Sequence, residues 1–422
     1  MRRRKVLNSA LLGVMLSASV FTTSAFGQEQ EQVNQDSSYR VLIKGEKAAK
    51  SMAQKNYGKR WDFGGEGFTT TVNAKQYLAL KKNKNLKIET IKEVSLDPVI
   101  QRKKVITKPK AAPSDQTPWG IAAIYNDQNI TSTSGGDGIK VAVLDTGVNR
   151  NHPDLVGNME QCKDFTQTSA PIVNGSCVDR QGHGTHVSGT VLANAGSAGT
   201  GIYGVAPQSE LWAYKVLNDN GSGYPDDIAA AIRHVADEAA RTGTKAVINM
   251  SLGSDAKDTM IASAVDYAYN KGVLVISAAG NSGPSANTIG YPGALVNSVA
   301  VASLDNSIVN GTHSVSDFSS RGNPNTDGDY IIQEKDVELS GPGGDIYSTS
   351  VTGGYTTMSG TSMATPHIAG LAAKIWSSNK SLTNVQMRAE LQKRAKLYDI
   401  KGGTGAGTGD DYASGFGFPR VK

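Results

Sequence analysis

Hydrophobic and polar positions follow two different patterns in the two parts of this chain. Between residues 39 and 99, short alternating stretches are separated by helical segments. They predict strands at 39–44, 68–72 and 87–94 and helices at 47–56 and 74–80. From Gly120 onwards, near-continuous apolar runs alternate with longer helical ones. These predict strands at 140–145, 211–217, 246–251, 273–277 and 298–303 and helices at 183–195, 226–241, 258–270, 362–377 and 383–395.

Apolar strands that alternate with helices are typical of a parallel sheet covered on both faces. We therefore expect a small α+β unit, a linker containing Pro98, Pro109 and Pro113, and then a large α/β domain. A chain of 422 residues is long enough to bury a core without a lattice of disulfides. In such sheets, functional groups gather at the carboxyl ends of the strands.

The first residues have the features of a secretory signal. Basic residues at 2–5 precede an apolar stretch from Ala10 to Phe21, and the small residues Ala25 and Gly27 suit cleavage by signal peptidase. A membrane anchor is the alternative, but the apolar stretch is shorter than the ~20 residues that a span requires. We expect a signal peptide at 1–27 and a secreted product that is not bound to a membrane.

Charge is distributed unevenly along the chain. The net charge of +5 divides into +4 for residues 1–27, +9 for residues 28–111 and −8 for residues 112–422. A basic segment usually indicates nucleic acid. Here the complementary acidic partner lies in the same polypeptide, so we expect no nucleic-acid ligand. The apolar fraction of 38% also excludes a disordered chain and a polytopic membrane protein.

Four polar residues stand at predicted element boundaries. Asp145 and Asn281 each end a strand, and His183 and Ser362 each begin a helix. Taken singly, each residue type is more often a turn or capping residue. Together they supply an orienting acid, an oxyanion donor, a base and a nucleophile, which is the full set for acyl transfer.

The motifs around these residues resemble those of the subtilisin family of secreted serine proteases, close to its cold-active, single-disulfide, calcium-binding Bacillus members. The resemblance rests on 141–147, 182–189, 278–281 and 360–367, and it covers 113–422 as a catalytic domain. Residues 39–99 resemble the inhibitory prodomain of the family. The resemblance implies a subtilisin-like α/β fold with a mainly parallel central sheet and helices on both faces, preceded by a small α+β ferredoxin-like prodomain. The implied parts are a signal peptide (1–27), a prodomain with a cleavable linker (28–111) and a catalytic domain (112–422).

The resemblance also implies a role for each of the four residues. Ser362 attacks the scissile carbonyl, His183 takes its proton, and Asp145 orients the imidazole. Asn281 and the backbone N–H of Ser362 stabilise the oxyanion. The expected activity is that of a broad-specificity serine endopeptidase that acts on proteins and peptides as a monomer.

The substrate cleft is implied in the same way. Two segments pair with an extended peptide, and small residues form the P1 pocket, which we expect to accept large uncharged side chains. The implied cleft residues are Gly221, Ser222, Gly223, Ser251, Leu252, Gly253, Ala278, Ala279, Gly280 and Gly290.

Cys162 and Cys177 are the only cysteines, and a secreted protein favours a disulfide between them over two free thiols. Calcium is implied by the family as a structural ion. The implied ligands are Asp115 and Asp154 in a strong site, and Gly293, Leu295 and Glu338 in a weaker one. Gln116 is an alternative to Asp115.

The resemblance further implies that residues 28–111 act as an intramolecular inhibitor and folding aid. The end of the linker would lie in the cleft and be cut by the enzyme itself between about Thr107 and Ser114.

Three alternatives compete with the prediction of a serine protease. An aspartic protease would need a second Asp-Thr-Gly, a non-catalytic binding module would lack a catalytic group, and a nucleic-acid binder would keep its basic segment in the mature product.

Overall fold

A computed structural model describes residues 37–96 and 116–422. The predicted signal peptide, the predicted linker and Asp115 lie outside the described residues. None of the helices in the two described ranges combines the length and the apolar character that a bilayer crossing requires.

Residues 37–96 fold into a small α+β body, which we call the N-terminal unit. Its core is formed by Val41, Ile43, Phe68, Val72 and Tyr77. The strands are antiparallel in the order β2-β3-β1-β4, which is the arrangement of a ferredoxin-like fold and confirms the expectation. The elements are β1 (Ser38–Gly45), α1 (Lys47–Tyr57), β2 (Trp61–Asp62), β3 (Phe68–Asn73), α2 (Ala74–Lys81) and β4 (Leu86–Thr90).

The last strand predicted for this unit, 87–94, is two strands in the structure. β4 ends at Thr90, and β5 (Val94–Ser95) pairs with a strand of the large domain instead. The bond from the N–H of Ile91 to the carbonyl of Arg40 is made just beyond β4. The chain therefore leaves its own sheet to reach a second one.

The large domain contains the expected alternation of strands and helices. Its strands are β6 (Ile139–Asp145), β7 (Met159–Asp164), β8 (Val173–Asn174), β9 (Glu210–Lys215), β10 (Ser222–Gly223), β11 (Lys245–Met250), β12 (Leu274–Ala278), β13 (Val299–Val309), β14 (Thr312–Val315), β15 (Leu339–Pro342), β16 (Ile346–Thr349) and β17 (Tyr355–Met358). Its helices are α3 (Trp119–Tyr125), α4 (His183–Leu192), α5 (Pro225–Thr242), α6 (Thr259–Asn270), α7 (Thr361–Ser378) and α8 (Asn384–Ala395).

The central sheet is mainly parallel, as expected. Its order is β14-β13-β12-β11-β6-β9-β7-β8, with β15 beside β13, and within it only β14 and β8 pair antiparallel with their neighbours. Alternate residues of β6 enter different cores. Val141 and Val143 pack on the side of α4 and α7, whereas Ala142 and Leu144 pack on the side of α5 and α6. Both faces are therefore covered, and the strand ends remain available for a site.

Local sequence sets the ends of several helices. Pro225 occupies the first turn of α5, and Gly243 ends that helix with a φ of 67°. Thr383 and Gln386 form a capping box at the start of α8. α4 ends at Leu192, three residues before the predicted end, because Ala193 is already extended.

Candidate active site

The acid and the base predicted from the sequence are in direct contact. Asp145 is the last residue of β6, and His183 is the first residue of α4. Nδ1 of His183 lies 2.8 Å from Oδ1 and 2.9 Å from Oδ2 of Asp145, and both side chains are buried. The backbone N–H of Thr146 donates to Oδ1 of Asp145 at 2.7 Å. A carboxylate in this position accepts the Nδ1 proton, so Nε2 is the basic nitrogen of the ring.

The hydroxyl and the amide predicted from the sequence meet at the start of α7, a helix that packs against α4. Oδ1 of Asn281 accepts hydrogen bonds from the backbone N–H and the hydroxyl of Thr361, each at 3.0 Å. This fixes the carboxamide and directs its NH₂ group away from Thr361. A Cβ built on Gly360 would lie 3.4 Å from Nδ2 of Asn281 and 3.7 Å from the backbone nitrogen of Ser362. The two nitrogens thus lie near the same point, as the implied oxyanion role requires.

The nucleophile predicted from the sequence is nearly buried. Ser362 is 7% exposed, and its hydroxyl donates to the carbonyl of Ser251 at 3.2 Å. The hydroxyl of Ser251 donates in turn to the carbonyl of Ser362 at 2.7 Å. Because Ser362 lies in the first turn of α7, the positive end of the helix dipole lies beside it.

A carboxylate that sequence reasoning missed holds the start of α4 in place. Asp179 is 3% exposed and accepts five hydrogen bonds. Oδ1 accepts from the hydroxyl of Thr146 (2.9 Å) and the N–H groups of Gln181 (3.0 Å) and Gly182 (2.8 Å). Oδ2 accepts from the N–H (3.0 Å) and the hydroxyl (2.6 Å) of Thr185. Asp179 therefore links residues on both sides of His183 to the residue that follows Asp145. In the sequence, the feature that could have pointed to Asp179 is its position four residues before His183.

Two further histidines near the site have structural roles. His186 and His367 are buried, and burial lowers the pKa of His186 to about 3 and that of His367 to about 4. A ring nitrogen of His186 is hydrogen-bonded to the carbonyl of Ile346, and a ring nitrogen of His367 is hydrogen-bonded to the carbonyl of Met363. Neither is charged at neutral pH.

One edge of the cleft is a paired strand. Ser222 and Gly223, two of the implied cleft residues, form β10 and pair antiparallel with Ser95 and Val94 of the N-terminal unit. The N–H of Leu96 donates to the carbonyl of Gly221 at 2.8 Å. We expected the end of the linker in the cleft, but the strand described at this edge is β5, which lies before the linker.

A pocket opens beside Ser362. Of the implied cleft residues, Leu252, Gly253, Ala278, Gly280 and Gly290 line it, whereas Ala279 is buried. The lining also includes residues that the sequence did not single out: Ser254, Asp255, Ser282, Thr288 and Ser320. Asp255 is exposed and places a carboxylate in a lining that we expected to be formed by small residues. Ser254 and Asp255 directly follow the segment 251–253, which was the signal available for them.

The disulfide is confirmed. Cys162 on β7 is bonded to Cys177, with Cα atoms 5.2 Å apart. The carbonyl of Cys177 accepts from the N–H of Val148, and the N–H of Asp179 donates back to the carbonyl of Val148. The disulfide thus lies two residues from the carboxylate that holds α4.

Asp154 packs closely against the loop that contains Gly201. Its carboxylate is buried, and Oδ2 accepts from the N–H of Ile202 and the hydroxyl of Tyr355, each at 2.9 Å. A Cβ on Gly201 would lie 1.9 Å from Oδ1. The side-chain amide of Gln116 donates to the carbonyls of Gly199 and Gly201, each at 2.8 Å. Carboxylate, carboxamide and backbone carbonyl groups are the ligands that calcium prefers.

The carboxylate implied in the weaker cation site is paired with an arginine. Both oxygens of Glu338 are bonded to Arg388, at distances from 2.5 to 3.1 Å, and Oε1 also accepts from Gln392 at 2.7 Å. This ion pair already compensates the charge of Glu338. Its role as a ligand of the weaker site, with Gly293 and Leu295, stays a prediction. Among the described residues, no group of three or more His, Cys, Asp and Glu residues is arranged to hold a metal.

With this geometry in view, comparison with known proteins identifies the class. Residues 136–417 match the model of the subtilase family, so the chain belongs to that family and is a serine peptidase.

Among relatives, the chain is 56% identical over 423 residues to a protein named subtilisin from Bacillus sp. (strain TA39), with full coverage of both chains. It is 38% identical over 280 residues to thermitase from Thermoactinomyces vulgaris, covering 66% of this chain and 86% of that protein. Among solved structures, sphericase is similar with 65% identity and a TM-score of 0.73, covering 73% of this chain and 99% of that one. A structure titled S41 psychrophilic protease has 64% identity, a TM-score of 0.72 and the same coverage.

Proposed function

We propose that this chain is a secreted endopeptidase that cleaves proteins through an acyl-enzyme. The hydroxyl oxygen of Ser362 attacks the scissile carbonyl carbon while Nε2 of His183 takes the hydroxyl proton. When the C–N bond breaks, His183 gives that proton to the leaving amine, and water then releases the acyl group by the same route. Asp145 holds the imidazole, and Asn281 donates to the oxyanion. The observation that carries the proposal is the buried contact between Asp145 and His183.

The shape of the cleft supports broad specificity. Backbone pairing along β10 recognises an extended peptide without reading its side chains. The pocket beside Ser362 is built from small residues, which favours large uncharged P1 side chains. The exposed carboxylate of Asp255 belongs to that lining. We therefore expect basic P1 side chains to be accepted too, but less well than large uncharged ones.

A serine-directed fluorophosphonate tests the chemistry. We expect it to label the purified protein and to abolish its cleavage of casein, and we expect Ser362→Ala to remove both the labelling and the activity. Ser378→Ala, which changes an exposed serine at the other end of α7, is the matched control and should behave as wild type. Inhibition by pepstatin, or casein cleavage by Ser362→Ala, would contradict the proposal.

The N-terminal unit is proposed to be an intramolecular inhibitor. Its strand β5 occupies the edge of the cleft that a substrate would use. Two arginines reinforce this docking. Nε of Arg40 lies 2.9 Å from Asp226, and Nε of Arg60 lies 2.6 Å from Asp227. The opposite net charges of residues 28–111 and 112–422 thus include specific ion pairs between the two parts.

Processing tests the inhibitory role. We expect wild type to be secreted without its N-terminal unit and Ser362→Ala to be recovered uncut from a host that lacks extracellular proteases. Intact mass and N-terminal sequencing measure both outcomes and locate the cut. Complete removal of the N-terminal unit from Ser362→Ala in that host would show that another protease cleaves the chain.

Calcium is proposed as a structural ion near Asp154. The carboxylate of Asp154 and the carbonyls of Gly199 and Gly201 fit such an ion, because all present oxygen. Gln116 donates its NH₂ group to both carbonyls, so it would have to turn its side-chain oxygen towards the ion. Bound calcium would tie the loop at 196–201 to the core and so add to stability. At a free concentration ~100 times Kd, a bound ion stabilises by about 2.7 kcal/mol.

Thermal unfolding with and without a chelator tests this site. We expect EGTA to lower the Tm of wild type and of Asp137→Asn, an exposed control. Asp154→Asn should unfold at a lower temperature than wild type and respond less to EGTA. An equal response of Asp154→Asn and wild type would place the calcium elsewhere.

A further inference from the structure

We propose that Asp226 and Asp227, together with the ring of Tyr224, form a subsite that binds a guanidinium group of the substrate, upstream of the cleft. This inference rests on the proposed function, because the subsite opens only when the N-terminal unit has been removed. It assigns to the enzyme a preference for an arginine several residues before the scissile bond.

The structure shows the subsite with a guanidinium group in it. Nε of Arg40 lies 2.9 Å from Oδ2 of Asp226, and NH2 of Arg40 lies 2.7 Å from Oδ1 of Asp227. The guanidinium carbon is 4.8 Å from the centre of the Tyr224 ring. Two carboxylates and an aromatic face match the planar, multidentate chemistry of arginine better than that of lysine.

The rest of the large domain does not neutralise these carboxylates. In the described ranges, every ion pair of Asp226 and Asp227 runs to the N-terminal unit, through Arg40 and Arg60. Oδ1 of Asp226 is buried and has no hydrogen-bond partner among residues 37–96 and 116–422. Burial and the adjacent Asp226 raise the pKa of Asp227, although the arginines oppose this effect. Removal of the N-terminal unit therefore exposes an anionic pair with unused acceptor capacity.

The subsite continues the cleft. Tyr224 directly follows β10, the strand that pairs with an extended peptide. The backbone of Arg40 is bonded to Ile91, three residues before Val94 of the bound strand, and Glu93 contacts Tyr224. A peptide that lies along β10 as β5 does would thus have the residues preceding its paired segment next to Asp226 and Asp227.

Matched peptides test the subsite. Quenched-fluorescent peptides would contain Val-Ser-Leu as the paired segment and either arginine or citrulline at one of the three positions before it. Citrulline has the shape of arginine without its charge. We expect mature wild type to cleave the best arginine peptide about five- to tenfold more efficiently, in kcat/KM, than its citrulline counterpart. The ratio should fall towards one in 1 M salt.

Two variants locate the effect. The double variant Asp226→Asn and Asp227→Asn should lose the preference while it still cleaves the citrulline peptide. Asp237→Asn, an exposed position on the same helix, is the matched control and should retain it. If the double variant does not mature, the ratio measured for wild type and its salt dependence decide the question.

The outcomes separate the subsite from the protease proposal. Equal cleavage of the arginine and citrulline peptides by wild type, or a preference that persists in the double variant, would overturn the subsite alone. Cleavage of neither peptide would overturn the proposed function and the subsite with it.

Discussion

Replacing Asp179 by asparagine perturbs the support of the proposed catalytic histidine without touching the substrate. The side chains are nearly the same size, so the change removes charge and acceptor capacity, and little volume. In the structure Asp179 accepts five hydrogen bonds from four residues that surround His183 and Asp145. Asparagine has one oxygen and an NH₂ group in their place.

The magnitude follows from those contacts. If the oxygen of asparagine replaces Oδ1, its NH₂ group faces the N–H and the hydroxyl of Thr185, which both donated to Oδ2. The buried N–H of Thr185 then has no acceptor, which costs about 1–3 kcal/mol. The remaining three bonds change from charge-assisted to neutral, which costs roughly 0.5–1 kcal/mol each. We expect the free energy of unfolding to fall by about 2.5–6 kcal/mol.

The same change should disturb catalysis more than binding. Gly182, whose N–H donates to Asp179, precedes His183 directly, so the first turn of α4 loses its anchor. A misplacement of ~1 Å can reduce a rate by ~10²-fold. We therefore expect kcat to fall ~10- to 100-fold while KM, which depends on the distant β10 and the pocket, changes less than about twofold.

Two measurements separate these effects. Stability is measured in a Ser362→Ala background, where self-digestion is absent, and kinetics in the active enzyme with a chromogenic peptide. Asp137→Asn, an exposed acid, is the control for the loss of one charge. If Asp179→Asn retains its unfolding free energy within 1 kcal/mol and its kcat within about twofold, the anchoring role of Asp179 is refuted.

Three further predictions concern other parts of the site and core. Asn281→Ala should lower kcat by about 10²–10³, the range known for the oxyanion asparagine of subtilisins, with KM nearly unchanged in peptide kinetics. Replacing Cys162 and Cys177 by alanine opens a link across 15 residues and should lower the unfolding free energy by about 3 kcal/mol in denaturant titration. Burial holds the pKa of His186 at about 3 and that of His367 at about 4, below the unfolded value of about 6.5. Their contribution to stability is therefore full above pH 6.5 and falls by about 2 kcal/mol each by pH 5; unfolding titrations that coincide at pH 7 and pH 5 would contradict this.

The elements that the sequence pattern predicted well are those whose own residues decide their structure. The interior strands β6, β11 and β12 are continuous apolar runs, because both faces of the sheet are covered. β7, with the sequence Met-Glu-Gln-Cys-Lys-Asp, has no such pattern and was missed. Its pairing with β9 and the disulfide at Cys162 are long-range interactions, which local periodicity does not report.

The same distinction applies to the site. Asp145, His183, Asn281 and Ser362 were identifiable because each lies in a local motif at an element boundary. Pocket residues such as Thr288 and Ser320 reach the site only through loops that return to it, so their spacing in sequence carries no signal.

The pairing of Glu338, predicted as a cation ligand, was not visible in the sequence for a related reason. Its chemistry is set by Arg388, which lies 50 residues later in the chain. A carboxylate is a suitable ligand for a cation, but here the buried arginine beside it already compensates its charge.

Net charge and local contacts have different consequences for the proposed inhibition. The opposite charges of residues 28–111 and 112–422 act at long range and are screened beyond about 8 Å at physiological salt, so they influence the rate of encounter. The buried pairs of Arg40 with Asp226 and Asp227 are poorly screened, and their side chains are at most 6% exposed. They therefore govern how long the N-terminal unit stays. Because β5 and Arg40 occupy neighbouring parts of one continuous surface, the features that retain the inhibitor are the same features that a substrate would use after its removal.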